Sequence, residues 1–573
     1  MRNLLIRALQ ATLALIGLVT MVILTASALT APTVFTLDQA HAVLWLACGC
    51  LLVGLGGVTL PRERPTRFVW IMVALTLGAF LVRVLRIGDV PYWLTDEGIF
   101  MTAVVKTYEP SAFLNPVSGY ASGTYMYPYW QRLATDLFGR SLFALRFPSA
   151  VMGALTVMAL GFWVYEATRL HQPSERAQRL ALMSSALLMT FPPHLHFSRL
   201  GLYNIVDPFF ALLGFASVLR AVRLRHPFFA TLAGLCFGLC QYNYEAGRLL
   251  VVPLLVVWLT VGGLLSKSHR LTAGNLIRML VILLAVGVPV WLTTYHAQTT
   301  LTPRLRDLAI PEYTLTAIAQ RAISAVRLLI DQADYVLWLY YGGKWGLVPL
   351  YLLPFFLIGL GLTLRHPRRL PSLLVVGWLV GTLTALAVLN ALTTARYVTL
   401  LPLLVYLIAL GLERVLPGRA LIVGVSVLCL VQGIHYYAFH LPTLYGQHAE
   451  QIKYLGRYDV GWVMNQIATL PPQTEVHVIV DADQYDHSED SVLKTTPYLN
   501  PSVNVYQIRK DEELDGILQR LLPNEERVFF ITAPHQLNHI LPILEARYQL
   551  SIADVDSITF PSVYRWDVLA ESP

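Results

Sequence analysis

Basic residues in this chain cluster at the ends of apolar runs, and they do so in every second interval. A run of about 20 apolar residues is long enough to cross a bilayer as a helix. Thirteen such runs stand near residues 7–29, 42–59, 68–87, 142–165, 178–193, 203–222, 228–243, 248–266, 276–296, 346–364, 371–390, 396–414 and 418–439, the fifth and seventh being short. The basic intervals hold Arg2 and Arg7; Arg62, Arg64 and Arg67; Arg169, Arg176 and Arg179; Arg220, Arg223 and Arg225; Lys267, Arg270 and Arg278; Arg365, Arg368 and Arg369; and Arg414 and Arg419. Membrane insertion sorts charge in this way, because loops rich in Lys and Arg stay cytoplasmic. With 55% hydrophobic and 13% charged residues, the chain reads as a polytopic all-α membrane protein of about 13 transmembrane helices. The surplus of 42 Lys and Arg over 35 Asp and Glu is then a topology signal and implies no nucleic-acid partner.

The other intervals face outward: 88–141, the short turns near 192–202, 242–247 and 391–396, the loop 297–345, and everything after about 440. The first run has a basic start and small residues at Ala26–Ala31, as a cleaved signal peptide would, but its length favours an anchor. Cys48, Cys50, Cys236, Cys240 and Cys429 all lie in apolar segments, so no disulfide or metal role is assigned to them. The tail alternates short β-rich runs (475–480, 503–508, 527–532) with amphipathic stretches (512–522, 537–547), the pattern of a small extracytoplasmic α/β domain. The chain divides into two N-terminal spans (1–67), a transmembrane domain (68–439) and this domain (440–573). No repeat and no Gly-rich phosphate loop is present, which disfavours a nucleotide-driven pump.

Two adjacent carboxylates, Asp96 and Glu97, follow the third run in Pro91-Tyr-Trp-Leu-Thr-Asp-Glu-Gly98. An aromatic belt explains Tyr92 and Trp93. Acids at the edge of a low-dielectric region are costly unless paired, solvated or used, although a solvated loop capping the next helix is the plain alternative. The outward turns carry single arginines that oppose the topology rule: Arg199, Arg248 and Arg396. Each alone is explained as a snorkelling interfacial residue. Together with the acidic pair they point to a shared anionic ligand such as phosphate, which guanidinium grips through paired donors. His194 and His196 could ligate a divalent metal with Asp207 or with the acidic pair Asp96 and Glu97; otherwise the rings are hydrogen-bonding members of the pocket. Asp207 opens a span before Pro208, where the helix dipole also favours an acid.

The order of motifs resembles the GT-C glycosyltransferases of the protein O-mannosyltransferase and lipid A aminoarabinose transferase type, glycosyltransferase family 39. The resemblance spans roughly 68–439. It is carried by the acidic pair, Tyr127-Pro128, Leu137-Phe-Gly-Arg-Ser141, Leu145-Arg-Phe-Pro-Ser-Ala150, Ser198-Arg199 followed by Asp207, Tyr244 with Arg248 and Pro253, and Arg396-Tyr397. It implies an inverting transfer of a sugar from a polyprenyl-phosphate donor to a lipid, glycan or protein acceptor at the outer face of the plasma (inner) membrane, with no cofactor required and a divalent metal an open option. Asp96 would be the general base, because a hydroxyl acceptor is a poor nucleophile until its proton is drawn off. Glu97 would orient the acceptor or pair with a cation. Arg199, Arg248 and Arg396 would hold the departing phosphate, with His196, Tyr244 and Asp207 in support. Arg146, in the Leu-Arg-x-x-Ala segment, either bridges the acidic pair or marks a helix end. Two extra N-terminal spans and a tail without the features of a β-trefoil depart from the pattern and leave the acceptor class open. Arg304, Arg306, Asp307 and Tyr313 in the loop 297–345 would cover the pocket or lie on the membrane surface. The rival readings are a secondary transporter, which prefers paired mid-bilayer charges and repeat-related broken helices, and a noncatalytic polymer-handling membrane protein.

Overall fold

The structure is a computed structural model that describes residues 2–30, 35–57, 67–88, 95–108, 124–265, 270–296, 314–331, 338–341, 346–389, 392–442, 466–479, 495–508, 527–531, 541–542, 544–546, 548–552 and 564–571. Every one of the thirteen apolar runs falls on a helix, and among the described residues eight helices are long and apolar enough to cross a membrane. The segments 227–242, 247–262 and 353–364 are shorter apolar helices. The chain is thus a polytopic, mostly helical membrane protein.

The helices that frame the site are α1 (Arg2–Thr30), α2 (Leu37–Gly56), α3 (Arg67–Val84), α4 (Thr95–Lys106), α5 (Met126–Phe138), α6 (Leu142–Arg169), α7 (Ser174–Thr190), α8 (Pro192–Phe197) and α9 (Val206–Leu224). Burial sorts them. The most apolar window of α6 is 72% buried and that of the helix containing α9 is 83% buried, against 17% for α3 and 22% for α1. Central helices therefore run through protein, and α1 and α3 present residues such as Val22, Trp70, Leu77 and Leu81 to the outside, where lipid would cover them at no cost. Further along the chain, Leu353–Leu364 crosses Leu401–Val415 at close range. A Cβ on Gly359 would overlap the Leu407 carbonyl, and one on Gly411 the Phe355 carbonyl. Small residues allow this approach, the usual device where lipid supplies no hydrophobic drive between helices.

The two ends of the bundle differ. At the end bearing the clustered arginines, Glu166 receives Arg220 (3.0 Å) and Arg223 (2.8 Å), while Glu413 receives Arg176 and Arg179 (both 3.0 Å). At the opposite end the helices break. Irregular turns at Tyr203–Ile205, Cys240–Tyr242 and Thr394–Tyr397 and π-helical stretches at Gly247–Val251 and His435–His440 interrupt the spans. Such breaks occur within membrane proteins where backbone is buried in protein or lines a cavity, and π-turns gather at functional sites.

Among its described residues the tail carries five strands, β1 (Glu475–Ile479), β2 (Asn504–Ile508), β3 (Arg527–Ile531), β4 (Tyr548–Ile552) and β5 (Tyr564–Glu571), in the order β2-β1-β3-β5-β4. The first three pair in parallel, with Glu475 opposite both Asn504 and Arg527; β5 runs antiparallel to β3 and β4. His477 is buried at the centre of β1 and stacks between Tyr506 and Phe529, each 5.2 Å away. The expected stretch 512–522 lies outside the described residues. The sheet region meets the helical part through Tyr498, whose hydroxyl bonds Thr135 (3.0 Å) and the Ser141 carbonyl (3.1 Å), and through Arg140, which donates to the Pro497 carbonyl (2.6 Å).

Candidate active site

Asp96 and Glu97 stand in the first turn of α4, where the helix dipole favours negative charge. Successive helical residues point about 100° apart, so the two acids part company. Glu97 turns into the core and is fully buried. Its Oε1 and Oε2 each meet Arg146, from Nε and Nη2, at 2.7 Å, and the Gly201 amide donates to Oε1 at 2.6 Å. Arg146 also donates to the Ile87 carbonyl at 3.0 Å. Of the two alternatives for Arg146 the structure therefore takes the salt bridge. The two Glu97 oxygens accept three hydrogen bonds in this latch. It ties α4 to α6 and to the turn at Gly201.

Asp96 keeps part of its surface open and accepts a hydrogen bond from Tyr340. Tyr340 lies on a short turn, Trp338–Tyr341, that packs against α8 and Thr394–Tyr397. Burial, and then the Asp96 charge, push the Tyr340 phenol well above its ordinary range, so it remains a donor at neutral pH. The sequence offered no signal for Tyr340, since a tyrosine at a membrane boundary needs no special explanation.

The three arginines part ways. Arg199 is buried and donates to the carbonyls of Val82 (3.2 Å), Arg83 (2.9 Å) and Arg86 (3.3 Å) and to the Tyr437 hydroxyl (3.0 Å). It caps the C-terminal end of α3, its guanidinium fork engaged by backbone. Arg83 does the same for α7, donating to the Leu188 and Met189 carbonyls. Arg248, on the π-helical stretch, is buried and donates to the Asn243 carbonyl at 3.4 Å. Arg396 retains 20% side-chain exposure, donates to the Tyr244 hydroxyl, lies 5.3 Å from the Tyr244 ring centre and reaches Glu245 Oε2 at 3.4 Å. The turn that carries Tyr340 packs against the turn that carries Arg396, which brings the two sides of the site to one end of the bundle.

Asp207 fastens a turn of the site. Fully buried, it accepts from the amides of Tyr244 (3.2 Å) and Gly247 (2.8 Å), which fixes the turn presenting Tyr244, Glu245 and Arg248. Glu245 stands three residues before Arg248, and nothing in the sequence distinguishes it from a loop acid.

His194 accepts from Arg83 at 2.9 Å through Nδ1, since an arginine can only donate. His196 meets the Tyr436 hydroxyl at 3.3 Å and packs edge-on to Tyr341 and His440. With Glu97 committed to Arg146 and His194 to Arg83, the set Asp96, Glu97, His194 and His196 does not converge, and among the described residues no group of three or more His, Cys, Asp or Glu is arranged to hold a metal ion. The aromatic pair Tyr92 and Trp93 and the loop residues Arg304, Arg306, Asp307 and Tyr313 lie outside the described residues.

Residues 122–292 match the family model of dolichyl-phosphate-mannose-protein mannosyltransferase. No curated protein matches the chain by sequence. Among solved structures, the fold is similar to ArnT from Cupriavidus metallidurans bound to undecaprenyl phosphate, with a TM-score of 0.51 and 15% identity over 88% of this chain and 98% of that one. The apo state of the same protein gives 0.50 and 15% over 87% and 97%. The arabinosyltransferase EmbB from Mycobacterium smegmatis gives 0.42 and 16% over 66% and 34%. The resemblance drawn from the sequence is borne out, and the chain has a GT-C-like fold.

Proposed function

We propose that this chain is a membrane glycosyltransferase that moves a sugar from a polyprenyl-phosphate donor to an acceptor at the outer face of the plasma membrane, with inversion at the anomeric carbon. The observation that carries this reading is the presence, at one end of the bundle, of a partly open carboxylate, Asp96, bonded by Tyr340, and a partly open guanidinium, Arg396, bonded to Tyr244. The family match over 122–292 and the fold shared with an undecaprenyl-phosphate-binding ArnT support it.

In this reading Asp96 takes the proton of the acceptor hydroxyl as its oxygen bonds to the anomeric carbon, and the bond from that carbon to the phosphate oxygen breaks on the opposite face. One displacement inverts configuration and needs no covalent glycosyl enzyme. Charge grows on the leaving phosphate, where Arg396, steered by Tyr244 and Glu245, is placed to stabilise it, with Arg248 the second candidate. The isoprenoid would remain in hydrocarbon while its phosphate reaches the broken helix ends. The arginine-rich loops at the other end support an outward-facing site, and the division at 67 and 440 would set two leading helices and a trailing α/β domain around the catalytic part.

The test is incubation of the purified protein in proteoliposomes with a panel of polyprenyl-phosphate sugars and candidate lipid, glycan and peptide acceptors, measuring free polyprenyl phosphate and glycosylated product. Acceptor-dependent release supports the reading. Donor flipping across the bilayer without release would instead identify a transporter.

A further inference from the structure

Three turns meet at the Arg396 side of the site. Tyr203 lies 5.4 Å from Tyr244, ring centre to ring centre, and Tyr244 holds Arg396, so residues 203–205, 242–247 and 394–397 converge. Each turn carries a buried polar atom that finds no hydrogen-bond partner among the described residues: Asn204 Oδ1, Glu245 Oε1 and Thr394 Oγ1. Their residues are 3%, 4% and 0% exposed. Buried oxygens are ordinarily satisfied, and leaving one unpaired costs about 1–3 kcal/mol, more for a charged group. Glu245 is the sharpest case, because Arg396 engages Oε2 and leaves the other lobe of a charged carboxylate with nothing to accept.

All three atoms can accept, and two of them, the amide and carboxylate oxygens, can only accept. Their complement is a ligand rich in hydroxyl donors held beside Arg396. Phosphate oxygens accept and would be repelled by Glu245, so the phosphate and these oxygens answer to different parts of one ligand. We propose that Glu245, with Asn204 alongside, reads a hydroxyl of the transferred sugar, making this turn the sugar-recognition subsite next to the phosphate-facing Arg396. The inference rests on the polyprenyl-phosphate reading above and deepens it by naming the residues that select the glycosyl group.

The test compares binding of undecaprenyl phosphate, undecaprenyl-phosphate mannose and undecaprenyl-phosphate arabinose to the full-length protein in detergent, by native mass spectrometry, for the wild type, Glu245→Gln and Asn204→Ala. The wild type should hold at least one sugar-bearing lipid more tightly than the sugar-free one. Glu245→Gln should erase that preference, weakening the sugar-bearing lipid on the order of 10- to 100-fold beyond any loss for undecaprenyl phosphate, whose affinity registers only the altered steering of Arg396. Asn204→Ala, which leaves the Arg396 pair intact, should reduce the same preference to a smaller degree. Equal weakening of both lipids in Glu245→Gln would make Glu245 a support for Arg396 alone and overturn the proposal, as would a preference that survives both variants. A wild type that binds undecaprenyl phosphate without regard to sugar overturns this subsite and spares the donor class; one that binds none of the lipids refutes the donor class itself.

Discussion

Arg146 and Glu97 meet through two parallel contacts of 2.7 Å with neither side chain exposed. A buried charge pair costs desolvation, and removing one partner strands the other, at about 3–5 kcal/mol. Glu97→Gln and Arg146→Met should each lower thermal stability strongly, read from the melting of the detergent-solubilised protein by intrinsic fluorescence. A melting temperature close to that of the wild type would show that the latch does not hold α4 in place.

Asp96 differs from its neighbour in having surface open to a ligand. Asp96→Asn should leave melting nearly unchanged while reducing sugar transfer from a polyprenyl-phosphate donor by roughly 10²–10⁴-fold, the range typical of a lost general base. Near-full activity in proteoliposomes would remove Asp96 from the mechanism.

Arg199 and Arg396 resemble each other in sequence, each a lone cation in an outward turn, and the structure separates them. Lysine cannot serve the four acceptors around Arg199, so Arg199→Lys should destabilise the protein by about 1–3 kcal/mol with little effect on lipid affinity of the folded fraction. Arg396→Lys should do the reverse, weakening undecaprenyl phosphate binding by about 10-fold with a small effect on melting. If both variants changed affinity alike, the helix-cap role of Arg199 would be incomplete.

The spans and the acidic pair could be read from the chain because both rest on local rules: length of apolar runs, sign of loop charge, and carboxylates at a dielectric boundary. The roles of the arginines could not. A cation opposing the topology rule looks the same whether it caps a helix, as Arg199 does for α3, or faces a ligand, as proposed for Arg396. Only the partner decides, and the partners are distant in sequence: Tyr437 for Arg199, Glu245 for Arg396. Asp96 and Glu97 raise the same difficulty at its shortest range. Adjacent and chemically alike, they are sent to opposite fates by the rotation of the first helical turn. Tyr340 was invisible because its meaning comes wholly from a carboxylate far away in the chain. Strands β4 and β5 lie beyond the expected β-rich runs, yet Tyr548-Gln-Leu-Ser-Ile552 and Tyr564-Arg-Trp-Asp-Val568 alternate apolar and polar residues with the period of a half-buried strand, so that signal is present in the sequence.

Tyr340 donates to the carboxylate proposed to take the acceptor's proton, so its hydroxyl orients Asp96. Tyr340→Phe should lower kcat by about 10-fold, as expected for one hydrogen bond to a charged group, with KM for the donor changed less. The pH profile tests the arrangement more closely. Burial and the Asp96 charge raise the Tyr340 pKa, so the phenol stays protonated, and the bond intact, through the ordinary tyrosine range near pH 10. Any loss of wild-type activity between about pH 8 and pH 10 must then come from another group, and the same loss should appear in Tyr340→Phe. A wild-type alkaline limb in that interval that vanishes in Tyr340→Phe would mean that Tyr340 ionises there, contrary to its placement beside Asp96.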